Sequence, residues 1–174
     1  SPNLPIWVAG RGARMLSLGG ELADGVVLDF IHKDILPESV KLIQKGAEKT
    51  GNKPKICYST MVITNDRVLE EVRPHMTYRL VDSPQEIKDR IGMTAADVEA
   101  VSSTMGAKGL VEAGKLIREE WIAPFVIMGT EAECARELSG LMSRNGFDEF
   151  LLPILETKTA RELMAEVAKV LSLA

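Results

Sequence analysis

The sequence predicts an α/β protein built on a parallel sheet, and three observations carry that. Apolar runs at residues 6–9, 26–30 and 56–64 are continuous rather than alternating, as in strands covered on both faces. The intervals between them are long enough for a helical crossover and too long for a hairpin. Helix-capping signatures recur where crossover helices should begin. The predicted order is β-α-β-α-β-(insertion)-α-β-α, with right-handed crossovers.

The first strand is expected over residues 6–9, led in by Pro5. The helix after it spans about Ala13 to Ala23, with Met15, Leu18 and Leu22 on one side. Residues 26–30 form the second strand, three apolar residues followed by Asp29. Pro37 begins the next helix, with Val40, Ile43 and Ala47 inward and Lys41, Lys45 and Glu48 outward. Gly51 and Asn52 end it. Residues 56–64, rich in β-branched side chains, read as the third strand.

From Asn65 to Ala123 the pattern becomes a series of helical pieces interrupted by Gly106, Gly109 and Gly114. This is one crossover enlarged by an insertion of about 66–123, of the size that either covers a site or simply packs. Ser83-Pro-Gln-Glu86 and Thr94-Ala-Ala-Asp97 read as capping boxes within it. Thr130-Glu-Ala-Glu133 opens a helix with Cys134, Leu138, Leu141 and Met142 inward, ended by Gly146. A fourth strand is expected over 149–155. Thr159-Ala-Arg-Glu162 caps a last helix, with Leu163, Val167 and Val170 inward. The whole is read as a single domain over residues 1–174.

With 174 residues, 45% hydrophobic and 26% charged, the chain is an ordinary globular sequence with room for a sizeable core. Its net charge of −4, with both signs interspersed, does not suit a nucleic-acid partner. No apolar run approaches a membrane span, and no secretory signal pattern is present. Cys57 and Cys134 stand far apart without ligand spacing, so two buried thiols in a reducing cytoplasm are expected and no metal. Ser1 leaves a processing site, a tag or a proteolytic cut open.

The chemistry concentrates in the loop Ala9-Gly-Arg-Gly-Ala13, where a strand ends and a helix begins. Free backbone N–H groups and the helix dipole there favour an anion. Gly10 and Gly12 permit close approach of a phosphate, and Arg11 and Arg14 add positive charge. A tight strand-to-helix turn with two solvated arginines explains the same residues equally well. Asp29, at the end of the second strand, either hydrogen-bonds a cofactor or substrate or caps the next turn. His32 and His75 have no acidic partner at triad or metal spacing, and each reads more simply as a surface residue than as a general base. Met61, Met76, Met105, Met128 and Met142 either fill a core or line a flat aromatic ring, with core filling the simpler use. Nucleophile, Walker and zinc motifs are missing, so no catalytic residue is named.

Three phrases resemble the bacterial-luciferase-like family of flavin and deazaflavin oxidoreductases. They are Pro5-Ile-Trp-Val-Ala-Gly-Arg-Gly-Ala-Arg-Met-Leu16 with Gly20-Glu-Leu-Ala-Asp-Gly-Val26, then Val126-Ile-Met-Gly-Thr-Glu-Ala-Glu-Cys134, then Arg144-Asn-Gly-Phe-Asp-Glu-Phe-Leu-Leu152. Within that family the chain looks most like the methylenetetrahydromethanopterin reductase branch, which uses a deazaflavin coenzyme. The loop often has Pro where this chain has Ala13. The Pro153-Ile-Leu-Glu-Thr segment replaces a glycine-rich one.

The resemblance implies a (β/α)8 TIM-barrel fold, of which these motifs belong to strands five to eight. A complete barrel takes about 250 residues. The chain is therefore expected to be a C-terminal half-barrel, either self-associating as a homo-oligomer or paired with an N-terminal half carrying strands one to four. The implied activity is hydride transfer between a deazaflavin (coenzyme F420) or FMN and a small organic substrate, a methylene-tetrahydropterin first. The implied cofactor-binding residues are Val8, Ala9, Gly10, Arg11, Gly12, Arg14 and Asp29. The alternatives are a non-catalytic flavin- or phosphate-binding module and a structural half-barrel subunit.

Overall fold

The computed structural model describes residues 4–174, which divide into two compact units. The first takes in the chain up to Met61 together with Arg136–Pro153. The second is Val62–Ala135 with Ile154–Ala174.

The first unit is a parallel sheet in the order β1-β2-β3-β6, from β1 (Trp7–Ala9), β2 (Gly25–Asp29), β3 (Lys55–Ser59) and β6 (Glu149–Leu151). Ala9 pairs with Val27, Asp29 with Ser59, and Ser59 with Leu151. Helices α1 (Ala13–Leu22) and α2 (Leu36–Glu48) make the crossovers between the first three strands. They touch through glycine. A Cβ on Gly20 would lie 1.9 Å from the Ile43 carbonyl oxygen, and one on Gly46 would lie 1.9 Å from that of Ser17. No side chain fits at either position.

Two aspartates, just before β2 and just before β6, repeat one device that ties each strand to its neighbour. Asp24 Oδ2 accepts the Ile6 N–H at 2.7 Å, and Asp148 Oδ2 accepts the Ile56 N–H at 2.7 Å. Each Asp also donates its own N–H back, Asp24 to Ile6 O and Asp148 to Ile56 O. The Ala-Asp-Gly and Phe-Asp-Glu phrases are thus strand-locking residues at the N-terminal end of the sheet.

In the second unit, β4 (Val62–Ile63) pairs in parallel with β5 (Ile127–Met128). Between them run α3 (Asp66–Val81), α4 (Gln85–Arg90), α5 (Ala95–Lys108), α6 (Leu110–Gly114) and α7 (Glu119–Ile122), the expected helical insertion. Helix α8 (Glu131–Asn145) starts here and runs on into the first unit, and α9 (Ala160–Ser172) ends the chain. Arg67 on α3 binds Glu71 at 2.9 Å and Glu166 of α9 at 2.8 Å.

Several boundaries differ from expectation. The run 56–64 is two strands in two sheets, broken at Thr60 and Met61, since an apolar run does not reveal where its partner strand ends. The fourth strand stops at Leu151, before Pro153. The Thr94–Asp97 capping box is complete, and Thr130 and Glu133 exchange the same pair of bonds. Ser83 does not cap α4: its hydroxyl donates back to Arg79 O at 2.7 Å. Thr159 sits at the N-cap of α9, but its hydroxyl donates to Glu71 Oε2 at 3.1 Å. On α1 the buried residues are Leu16, Gly19 and Gly20, while Met15, Leu18 and Leu22 are exposed.

Candidate cofactor site at the C-terminal ends of the strands

In parallel sheets of this kind ligands gather at the C-terminal strand ends. In the first unit that edge carries Ala9, Asp29, Ser59 and the loop Gly10-Arg11-Gly12. Gly12 is the N-cap of α1, with no side chain to cap the helix and no acidic residue in its first turn. The first N–H groups of α1 are therefore left to solvent or a ligand. A Cβ on Gly12 would meet nothing within 4 Å, so the approach is open. Gly10 is tighter, with Met15 Cβ 3.0 Å from where its own Cβ would stand. Arg11 and Arg14 are exposed, and neither has an ion-pair partner among the described residues. Two free guanidiniums beside an uncapped helix start suit a phosphate in charge and geometry.

The remaining candidates separate by sheet face. A Cβ on Gly19 of α1 would lie 3.6 Å from Val8 Cβ and 2.9 Å from Val26 Cγ2, so Val8 and Val26 face the helix layer. The opposite face, reached by pleat alternation, carries Trp7, Ala9, Val27, Asp29, Cys57 and Ser59. Val8 therefore offers a ligand its backbone rather than its side chain. Trp7 stacks over Gly25, whose Cβ would fall 2.4 Å from the indole ring.

Asp29 is half-buried and accepts from Ser59 Oγ at 2.8 Å. Phe30 follows in the left-handed region (φ 47°), alone among the described non-glycine residues, and donates its N–H to Ser59 O at 2.9 Å. Such backbone costs about 1 kcal/mol and concentrates at functional edges. His32 is a correction to the surface reading: it is buried, and its Nδ1 accepts the Asp34 N–H at 3.2 Å. His75 is half-buried within α3. Of six buried polar side chains among the described residues, Ser59 ends β3, Thr60 follows it, and His32 follows β2. Ser59 and Thr60 were missed in the sequence because they continue an apolar strand run; a hydroxyl pair closing a strand was the available signal.

Burial pushes the Cys57 thiol up, so it stays protonated, and the buried Cys134 thiol donates to Ile63 O and Gly129 O without a disulfide. Met61 and Met76 are core residues. The described residues hold no metal-binding cluster and no helix long and apolar enough to cross a membrane. A groove of about 500 Å³, lined by Ile43, Pro54, Ile56 and Gly146 among others, lies at the opposite, N-terminal end of the strands.

A family model for luciferase-like monooxygenases matches residues 1–149. The chain belongs to that family. A 5,10-methylenetetrahydromethanopterin reductase from Methanolobus tindarius is 27% identical over 148 residues, covering 80% of this chain and 45% of that protein. The coenzyme F420 dependent tetrahydromethanopterin reductase from Methanopyrus kandleri superposes with a TM-score of 0.74 at 22% identity, over 93% of this chain and 49% of that one. An F420-dependent secondary alcohol dehydrogenase, solved with an F420–acetone adduct, gives 0.63 at 15% identity over 97% of this chain and 49% of its own. These structural likenesses show the family's TIM-barrel fold. The chain spans about half the length of the relatives it matches.

Proposed function

We propose that this chain is the cofactor-anchoring half of a luciferase-like oxidoreductase, working with deazaflavin coenzyme F420, or with FMN, on a small organic substrate. A methylene-tetrahydropterin is the first candidate. The observation that carries the reading is the N-terminus of α1, uncapped by any side chain, with Arg11 and Arg14 unpaired among the described residues, on a chain whose relatives include reductases of that name. The residues present fit the anionic end of such a coenzyme.

When bound, the ring system supplies the site from which hydride leaves or to which it goes. The chain's own residues bind and orient. The N–H groups opening α1 and the guanidiniums of Arg11 and Arg14 hold phosphate, Gly12 leaves room for it, and Ala9 offers a small surface beside it. Hydride transfer asks the protein mainly for a fixed face-to-face geometry and a dry pocket. The lack of a named acid–base pair in this half is consistent with that.

The same reading gives the edges of the first unit a role. Among the described residues β1 has only β2 as a neighbour, and Leu4, Ile6, Trp7, Met15, Leu18 and Leu22 are exposed on or beside it. An open edge with an apolar flank invites another strand-helix layer. The remaining barrel strands, from the same protein or a second copy, are the proposed occupant.

Turnover tests the reading. Reduced F420 and 5,10-methylenetetrahydromethanopterin are mixed with the full-length protein, and the reappearance of oxidised F420 is followed by absorbance. Pterin-dependent oxidation is expected. F420 binding without oxidation by any pterin would favour the non-catalytic module instead.

A further inference from the structure

Strand register puts Asp29 and Ser59 opposite each other on the sheet face away from α1. Below them on the same face lie Ala9, Val27 and Cys57, all small. Trp7, the one bulky residue of that face on β1, covers Gly25, lower down. On the β6 side Leu151 stands beside Ser59 and Glu149, paired with Lys55, beside Cys57, so the top of this face carries the Asp29 carboxylate on its β2 side and an apolar side chain on its β6 side.

That carboxylate is held. Ser59 is 1% exposed and donates to Asp29 Oδ1 at 2.8 Å. The Phe30 N–H bonds the Ser59 carbonyl at 2.9 Å, so the same residue fixes the backbone that follows Asp29. An ionised carboxylate only accepts hydrogen bonds. It selects groups that bring N–H or O–H donors and repels anions.

We infer that Ser59 is a positioning residue that sets Asp29 to receive a donor-bearing, non-anionic group of the substrate. The C-terminal edge of the sheet is thereby divided by charge: the α1 end with Arg11 and Arg14 takes the anionic cofactor tail, and the β2–β3 end takes a neutral or cationic N–H-rich substrate such as a reduced pterin ring. A phosphate or other anionic group of the substrate is excluded from that position. This rests on the oxidoreductase reading above.

The test uses the full-length protein and two separate readouts: the Kd for F420 by fluorescence titration, and KM and kcat for 5,10-methylenetetrahydromethanopterin. Ser59→Ala is expected to raise the pterin KM about tenfold, the weight of a lost hydrogen bond to a charged group, with F420 Kd and kcat within about twofold of wild type. Ser59→Thr, which keeps the hydroxyl, restores KM. Asp29→Asn, at a half-buried position, raises KM in the same direction and serves if Ser59→Ala does not fold. An unchanged pterin KM in Ser59→Ala and Asp29→Asn, or equal losses for F420 and pterin, overturns the inference while leaving the oxidoreductase reading standing. Failure of the wild type to bind either F420 or FMN removes that reading and this inference with it.

Discussion

At the residue scale, two aspartates beside the strands lock them and a third faces the C-terminal edge. Asp24 and Asp148 each accept the N–H that opens the neighbouring strand. Asp148→Ala should therefore cost about 1.5–3 kcal/mol, the range for a hydrogen bond to a charged group, read by urea denaturation with ligand binding retained once folded. Asp24→Ala should cost less, since its bond is exposed and water can replace the acceptor. This is also where sequence reading reached its limit. Gly10, Arg11, Gly12 and Arg14 were legible because a strand-to-helix glycine loop has its own spacing. Asp29 was legible as a candidate, but its partner Ser59 was not, because cross-strand pairing is set by register between segments 30 residues apart. His32 was misread because nothing in a lone histidine's sequence neighbourhood announces burial.

At the element scale, the helices show which local signals survive tertiary structure. The boxes at Thr94 and Thr130 formed because their partners lie three residues away and need no other element. Those at Ser83 and Thr159 did not, because each hydroxyl found a different acceptor, Arg79 O and Glu71 Oε2. The Thr94 cap carries a pH signature. Hydrogen bonds from the Thr94 hydroxyl and backbone N–H, with Arg118 nearby, hold the Asp97 carboxyl below its ordinary 3.8. A carboxyl depressed in the folded state stabilises above its unfolded pKa and loses that contribution as pH falls through the folded one. Amide exchange at the start of α5 should accelerate as acid protonates Asp97, and Asp97→Asn should show the faster exchange already at neutral pH. The α1–α2 contact gives a sharper test. Gly46→Ala places a methyl 1.9 Å from the Ser17 carbonyl oxygen, so the helices must separate. A loss of cooperative unfolding, or a clear fall in Tm, is expected by circular dichroism. The stripe Met15, Leu18 and Leu22 was read correctly as one apolar side of α1, but the glycine-rich side won the inward position because only glycine lets α2 approach so closely.

At the scale of the whole molecule, the α/β fold class was present in the sequence as apolar runs at crossover spacing, whereas four strands were expected and β5 (Ile127–Met128) was not among them. The placement of residues 62–63 in a second sheet was not legible either, since nothing in Ile56–Thr64 marks the change of partner. The chain covers 49% of the Methanopyrus kandleri reductase, and in the proposed reading it contributes the anion-binding loop and the Asp29 carboxylate. Its central element is the α1 N-terminus, and one measurement addresses that directly. Coenzyme F420 is titrated by fluorescence into the full-length wild-type protein and into the Arg11→Ala/Arg14→Ala variant. Both arginines are exposed, so folding should be kept. Saturable wild-type binding is expected, weakened at least about tenfold in the variant, as for the loss of charge-assisted contacts to phosphate. Equal affinity in the two proteins would contradict the assignment of this loop as the cofactor's anchor.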